Sequence, residues 1–435
     1  MRGDLRAVNR PVLAAGQHGA VIAAPELPDT ARDRVLALRD WLQAASSRPV
    51  RMIETHISWV LLTDTLAYKL KKPVRLPFLD FTTLDARRHF CAEELRVNRR
   101  LAPDLYLDVV DVCAGLSGPV IGGPGRVLDV ALRMRRFPDD ALWSDLLAAG
   151  RLASHHVDAM AQRLVEFHRG AAVAPADSTF GSSAVHERVT RRLVSAIDAW
   201  PAGAAPAADW PALRGWVERQ LHDLAPRWNA RRRNGRVREC HGDLHLANVV
   251  QLGDEPTAFD AIEFEPELRW IDVLDDVAFL ATDLLAHDRR GLAFRFVNAC
   301  LEASGDYDGV PVLRYCMVAR ALVRAVVTFL TEGQGAAPTR RPAAAEYLAL
   351  AANLARSSDA RLVITHGLPG SGKTFASQGV IEASGAIRVR ADVERKRMFG
   401  LGALESSRER VPGGIYDTDT TLRTYDRLHD VGRTA

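Results

Sequence analysis

Val35, Leu38, Trp41 and Leu42 recur at helical spacing, so an amphipathic helix is expected after an Ala/Gly/Pro-rich, flexible lead-in over residues 1–30. The pattern then shortens. Strand-like apolar runs occupy 50–53, 57–62 and 66–70, a helical period returns over 86–101, and strand-like segments follow at 105–112 and 127–134. Between the last two, residues 118–125 hold four glycines and two prolines and predict a turn. Beyond Pro138 the apolar spacing is helical, over 157–168, 185–200 and from Asp272 to about Leu330. Strands first and helices afterwards predict an α+β fold in two lobes, an antiparallel sheet followed by a mainly helical half. Residues 201–208 read as a surface insertion and 331–345 as a connector, with an Ala/Leu helix running on to about Ala355. A new apolar run opens after Arg361. The expected layout is therefore a flexible segment 1–30, a first domain 31–345, a linker helix 346–360 and a partial α/β unit 361–435.

Within the helical half, His241-Gly-Asp243-Leu-His245-Leu-Ala-Asn248 is followed twelve residues on by Asp260, at the end of the apolar run Thr257-Ala-Phe259. A carboxylate, an amide and a second, strand-borne carboxylate in this order suit phosphoryl transfer. Asp243 would accept or orient the proton of an incoming hydroxyl, while Asn248 and Asp260 would coordinate Mg²⁺, a hard cation that prefers oxygen ligands. His241 is expected to brace this catalytic loop by hydrogen bonds. Two blander readings compete: Asp243 and Asn248 as turn-capping residues, and His241 with His245 as zinc ligands. Gly242 argues against the helix that zinc spacing would need.

ATP also needs a cation held by an acid. Ala67, Lys69 and Lys71 share one face of the strand 66–70, which makes Lys69 the first choice and Lys71 the second. Glu94, on the helix 86–101, is the expected partner in preference to the adjacent Glu93, and an ordinary surface acid is the competing reading. The segment between the first two strands, including Ser58, sits where a phosphate-covering loop belongs, without the glycines of protein kinases.

Taken together, residues 50–330 resemble the aminoglycoside phosphotransferase-like branch of the protein kinase-like superfamily, whose loop reads HGDxHxxN as at 241–248. The resemblance implies a bilobal kinase-like fold, ATP and Mg²⁺ as cofactors, and a small molecule with a hydroxyl as acceptor. It also implies that Asp272 and the pair Asp275-Asp276 buttress the catalytic loop.

The second unit carries Gly367-Leu-Pro-Gly370-Ser371-Gly372-Lys373-Thr374, a P-loop pattern between the apolar run 362–366 and an expected helix 375–383. Glycines let backbone N–H groups curl round phosphates, Lys373 would neutralise them and Thr374 would ligate Mg²⁺. Residues 387–392 resemble the second strand of small P-loop kinases, which places Asp392 toward an acceptor hydroxyl and Arg395 and Arg397 near phosphates. Arg408, Arg410 and Arg423 are further candidates in no diagnostic pattern. Only 75 residues run from Arg361 to Ala435, and no second metal-binding strand is legible among them. The tandem resembles a bacterial bifunctional family; the alternative is a nucleotide-binding regulatory protein without transfer activity.

Composition narrows this little. At 435 residues, 47% hydrophobic and 26% charged, the chain fits a globular protein of two or more domains. A net charge of +3, interleaved along the chain, gives no reason to expect nucleic acid, and Arg231-Arg232-Arg233 reads as a solvated loop. Five scattered cysteines indicate neither a disulfide framework nor a zinc site, and with no apolar signal-like segment the expected compartment is the cytoplasm. Residues 318–330 are apolar but interrupted by Arg320 and Arg324, which predicts a buried helix and no membrane span.

Overall fold

Strands and helices alternate first in a sheet lobe: α1 (Ala31–Gln43), β1 (Arg51–Glu54), β2 (Ser58–Leu62), β3 (Leu66–Lys71), a short pair β4 (Arg75–Leu76) and β5 (Leu79–Asp80), α2 (Leu84–Asn98), β6 (Tyr106–Gly115), β7 (Gly118–Ile121) and β8 (Val127–Arg135). These come from a computed structural model that describes residues 30–76, 79–201, 209–332, 342–356, 360–368, 370–407 and 414–434. The expected lead-in 1–30 (Thr30 apart), most of the insertion 201–208, the centre of the connector 331–345, and Arg408 and Arg410 lie outside the described residues.

Six strands pair antiparallel in the order β1-β2-β3-β8-β6-β7. The strand period sorts β3 cleanly. Tyr68 and Leu70 join Val35, Leu38 and Leu42 of α1 in one core, while Ala67 turns to the opposite core with Leu132 and Met134. Trp41 remains 41% exposed, so the stripe of α1 is Val35–Leu38–Leu42 without it. The glycine-rich interval 118–125 is more than a turn: residues 118–121 form β7, paired with 112–115, and the reversal falls at 115–118. Arg87 pins α2 to the sheet through Asp129 at 2.8 Å, both side chains buried.

The helical lobe follows: α3 (Trp143–Ala148), α4 (Ser154–Gly170), α5 (Ser183–Asp198), α6 (Trp210–Asp223), α7 (Ala225–Arg233), β9 (Val237–Glu239), the hairpin β10 (Val249–Leu252) and β11 (Glu255–Ala258), a short α8 (Pro266–Arg269), β12 (Trp270–Asp272), α9 (Val273–Ala286), α10 (Arg290–Ser304), α11 (Val310–Glu332) and α12 (Ala344–Ala355). This is the bilobal kinase-like arrangement that the sequence predicts. Its centre is α9, in which every residue from Val273 to Leu284 is buried. A helix apolar all round belongs in a core, yet α9 carries Asp275, Asp276 and Asp283 inward. The helix expected as a linker lays Tyr347, Leu348 and Ala351 into this same core. On α11 the buried face holds Val318, Leu322 and Ala325, whereas Val327 and Leu330 are exposed. Among the described residues no helix is long and apolar enough to cross a membrane.

The basic run 231–233 departs from expectation. Arg231 is buried at the end of α7 and forks onto Asp272 (2.6 and 2.8 Å) and Asp306 (2.8 and 2.7 Å), and Arg232 donates to backbone carbonyls including Phe180 O. Only Arg233 is solvated. Two carboxylates offset the desolvation of one guanidinium, which is what allows burial.

The C-terminal unit consists of α13 (Lys373–Ser384), α14 (Ala391–Met398) and α15 (Thr418–Thr434). Neither expected strand pairs among the described residues. Leu362, Val363 and Ile364 are 82%, 69% and 79% exposed, with no neighbouring strand to satisfy them. Residues 386–388 are bonded instead by a side chain of α10: Asn298 Nδ2 donates to Ala386 O (3.0 Å) and Asn298 Oδ1 accepts from Arg388 N–H (2.7 Å). Arg290 adds bonds to Ala383 O and Ser384 O, fastening the unit to α10.

Replacing Arg231 by Ala leaves Asp272 buried without its counter-charge and Asp306 with only the more distant Arg236, at 3.7 Å. The expected loss is about 3–5 kcal/mol, read as a lower urea midpoint for the fluorescence of the buried Trp228. Arg231→Lys should recover only part, because an ammonium cannot reproduce the two-carboxylate fork.

Candidate active site

Glu94, expected to hold one lysine, holds two. Lys69 Nζ lies 2.7 Å from Glu94 Oε1 and 2.6 Å from Asp260 Oδ1; Lys71 Nζ lies 2.7 Å from Glu94 Oε2 and also bonds Glu263. The adjacent Glu93 faces Arg96 and Arg269 instead. Burial alone would depress both lysines, but Asp260 and Glu94 raise Lys69, and Glu263 and Glu94 raise Lys71, so both stay charged. Against the same burial, Lys69 and Lys71 bring Glu94 down to about 2. Burial, helped by the charge of Glu94, pushes Glu263 up even against Lys71. Glu263 was missed in the sequence; it lies three residues past Asp260 in a loop with no period to read.

The loop 241–248 is held from below. Asp276 accepts the N–H groups of His241 (2.9 Å) and Gly242 (2.9 Å), and its Oδ2 meets His168 Nε2 at 3.0 Å. Asp283 Oδ2 accepts Leu246 N–H (3.0 Å), and its Oδ1 accepts the hydroxyl of Tyr347 on α12 (2.7 Å). Gly242 has φ 86°, and a Cβ there would come within 2.5 Å of Leu268 O, so this turn requires glycine. His241 Nε2 donates to Phe259 O (2.8 Å), and Nδ1 accepts Asp243 N–H (3.2 Å). Both ring nitrogens are therefore engaged, burial favours the neutral imidazole, and the zinc reading with His245 has no free ligand at this position.

Asn248 Nδ2 donates to Asp243 O (2.9 Å) and Oδ2 (3.1 Å), while His245 Nε2 lies 3.4 Å from the same Oδ2. The β10–β11 hairpin sets Phe259 N–H on Asn248 O at 3.0 Å, which brings Asn248 and Asp260 to one end of the ribbon. Asp260 itself takes φ 62°, a left-handed conformation uncommon outside glycine, and its N–H donates to Tyr106 OH at 3.0 Å. For Asp243, burial raises the carboxyl but His245, Arg324 and His241 bring it below the ordinary range.

The structure thus gathers Lys69, Glu94 and Asp260 in one cluster and Asp243, His241 and Asn248 in the adjoining loop. Ser58 is a correction. It opens β2 fully buried, its Oγ without a hydrogen bond, and the connecting turn is 55–57.

At the P-loop, Gly367, Gly370 and Gly372 all have positive φ (147°, 77° and 81°), and Gly372 caps α13. Lys373 Nζ donates to Gly367 O and Leu368 O, each at 2.7 Å, and reaches Ser371 Oγ at 3.5 Å. Thr374 is exposed in the first turn of α13. Asp392 opens α14, where it bonds Tyr416 OH (2.8 Å) and Lys396 (3.2 Å). Arg395 stacks over Tyr416 and Arg397 donates to Glu302 O, so these two serve packing within the unit and its docking. Arg423 pairs with Asp419 at 4.0 Å.

A protein-family model described as an AAA domain matches residues 362–435. The Mycobacterium tuberculosis (strain ATCC 25618 / H37Rv) uncharacterized protein Rv2004c is 31% identical over 381 residues, spanning 86% of this chain and 73% of its own. The Mycobacterium bovis uncharacterized protein Mb2027c matches to the same extent. Among solved structures, a choline/ethanolamine kinase family protein from Mesorhizobium loti superposes with a TM-score of 0.45 at 12% identity, over 80% of this chain and 99% of that one. A glucosamine kinase gives 0.43 at 16%, over 73% and 80%. At such scores the likeness adds nothing to what the topology above establishes.

Asp276 generates a pH prediction. Burial opposes its ionisation, but bonds from His168 and the His241 backbone bring it to about 2, below the roughly 3.9 of an unfolded Asp. A depressed carboxyl contributes stability that is complete above about pH 4 and disappears as the pH falls through about 2. Urea midpoints measured across this interval should fall in wild type and fall less in Asp276→Ala. That variant should start about 3–5 kcal/mol lower at neutral pH.

Proposed function

The chain belongs to the family represented by the mycobacterial protein Rv2004c, and we propose that its bilobal unit transfers a phosphoryl group from ATP to a hydroxyl of a small molecule. The observation that carries this reading is the convergence of a lysine–glutamate pair on Asp260 beside the Asp243–Asn248 loop.

The residues present fit a magnesium nucleotide. Asn248 commits its Nδ2 to Asp243, which leaves its Oδ1 for a cation, and Asp260 adds a carboxylate from a constrained backbone. Hard oxygen donors of this kind suit Mg²⁺, which when bound neutralises charge on the phosphates. Lys69, kept protonated by Asp260 and Glu94, supplies a fixed cation for the phosphate chain, and Lys71 holds Glu94 and Glu263 in place behind it. Asp243 remains ionised at neutral pH. It accepts a hydrogen bond from the acceptor hydroxyl, aims that oxygen, and takes its proton as the bond to phosphorus forms. His241 keeps Asp243 and the Asp260 strand in register by bonding both.

The P-loop unit is proposed as a second nucleotide site, with Gly367, Gly370, Ser371, Gly372 and Lys373 around the phosphates and Thr374 toward Mg²⁺. A reading as a nucleotide-responsive module without turnover draws on Lys373, which is folded onto its own loop carbonyls, and on the unpaired run 362–364.

A screen of hydroxyl-bearing metabolites for ATP-dependent phosphorylation separates these readings. Asp243→Ala should lose acceptor-dependent ADP release on the order of 10²–10⁴-fold while ATP still binds. Lys373→Ala should remove one class of ATP site and spare turnover. Unchanged turnover in Asp243→Ala overturns the proposal.

A further inference from the structure

Two arginines stand one turn apart on α11. Arg320 is committed: Nη1 donates to Gly242 O at 3.3 Å and Nε meets Asp275 at 3.3 Å. Arg324 is not. Its Nε has no hydrogen-bond partner, its nearest carboxylate oxygen among the described residues is Asp283 Oδ1 at 4.0 Å, and its guanidinium lies over the Tyr347 ring at 5.5 Å. The Asp283 oxygens are already taken by Tyr347 OH and Leu246 N–H. Only 16% of the Arg324 side chain is exposed, a poor setting for a guanidinium with unused donors.

Its position sets it beside the active loop. Asp283 bonds the backbone of the catalytic loop three residues past Asp243, so Arg324 lies against that loop. The Arg324 charge also acts on the Asp243 carboxyl. Arg324 comes from the helical lobe, whereas the lysines assigned to the nucleotide come from the sheet. The Tyr347 hydroxyl and the Asp283 charge both act on this guanidinium, yet Asp283 stands off at 4.0 Å and the Nε is left without a bond.

We propose that Arg324 is a specificity-determining residue that receives an anionic group, carboxylate or phosphate, on the acceptor, and thereby turns the acceptor hydroxyl toward Asp243. This rests on the phosphotransferase reading of the same site. The planar fork binds either anion with paired hydrogen bonds and disfavours an ammonium in the same place.

The full-length protein with ATP and Mg²⁺ is offered acceptors on matched frames: hydroxy acids such as glycerate, phosphorylated polyols such as glycerol 3-phosphate, neutral polyols, and amino alcohols. Turnover should favour one of the two anionic sets, and which set responds identifies the group. Arg324→Gln should raise KM for that acceptor roughly 10- to 100-fold with a much smaller change in kcat, and Arg324→Lys should restore part of the KM. Turnover confined to neutral or amino acceptors, or an unmoved KM in Arg324→Gln, overturns the assignment. Absence of Asp243-dependent turnover with every acceptor counts against the phosphotransferase reading. Thermal shifts by glycerate and glycerol 3-phosphate in the presence of a non-hydrolysable ATP analogue then decide Arg324 separately. A shift lost in Arg324→Gln supports the anion site, and no shift in wild type overturns it.

Discussion

A single buried carboxylate, Glu94, organises the sheet side of the candidate site. Removing an ion from water costs several kcal/mol, and Glu94 is wholly buried, so it persists as an anion only because Lys69 and Lys71 each bond one of its oxygens. Those lysines in turn require Asp260 and Glu263, which belong to the segment after β11. The helix α2, the central strand β3 and the strand-borne end of the helical lobe are thereby tied through four side chains and one shared partner. Without Glu94 the two lysines lose the partner they share, and without either lysine Glu94 keeps only half of its compensation.

The helical lobe solves a related problem along α9. A helix buried on all sides has no solvent to receive polar groups, and each inward acid meets a specific claim. Asp275 meets Arg320; Asp276 takes two backbone N–H groups and His168; Asp283 takes Leu246 and Tyr347. The active loop has no ladder of its own, and these carboxylates replace the bonds that a strand or helix would have supplied. Because Tyr347 belongs to α12, the scaffold of the loop extends past the connector 331–345.

Features governed by a repeat were legible in the sequence. The two-residue period placed Ala67, Lys69 and Lys71 on one face, and the ordered Asp243, Asn248 and Asp260 were legible because their spacing matches a known phosphotransferase loop. Features that depend on distant partners were not. Arg231 reads as one of three solvated arginines because Asp272 and Asp306 lie 41 and 75 residues away. Glu263, Asp283 and Tyr347 were overlooked for the same reason, although acids inside the otherwise apolar stretch 273–286 were a usable signal: a charge in a buried helix needs a partner. The helices α6 and α7 went unread beside the Ala/Pro-rich interval before them, since each carries Pro in its first turn, where proline is tolerated and not disruptive. The apolar run 362–366, and the segment 387–392 read as a strand from its resemblance to small P-loop kinases, find no partner strand among the described residues, and a strand exists only with a neighbour.

The amide of Asn298 bears on that last point. Ala386 O and Arg388 N–H are two groups that point to the same side of an extended backbone, the pair that an adjacent strand would claim along that edge. One side chain of α10 occupies them both. Anchorage to the helical lobe and recruitment of that edge into a β-sheet are therefore mutually exclusive, and any sheet built around the P-loop must either grow from the other edge or first dislodge this asparagine.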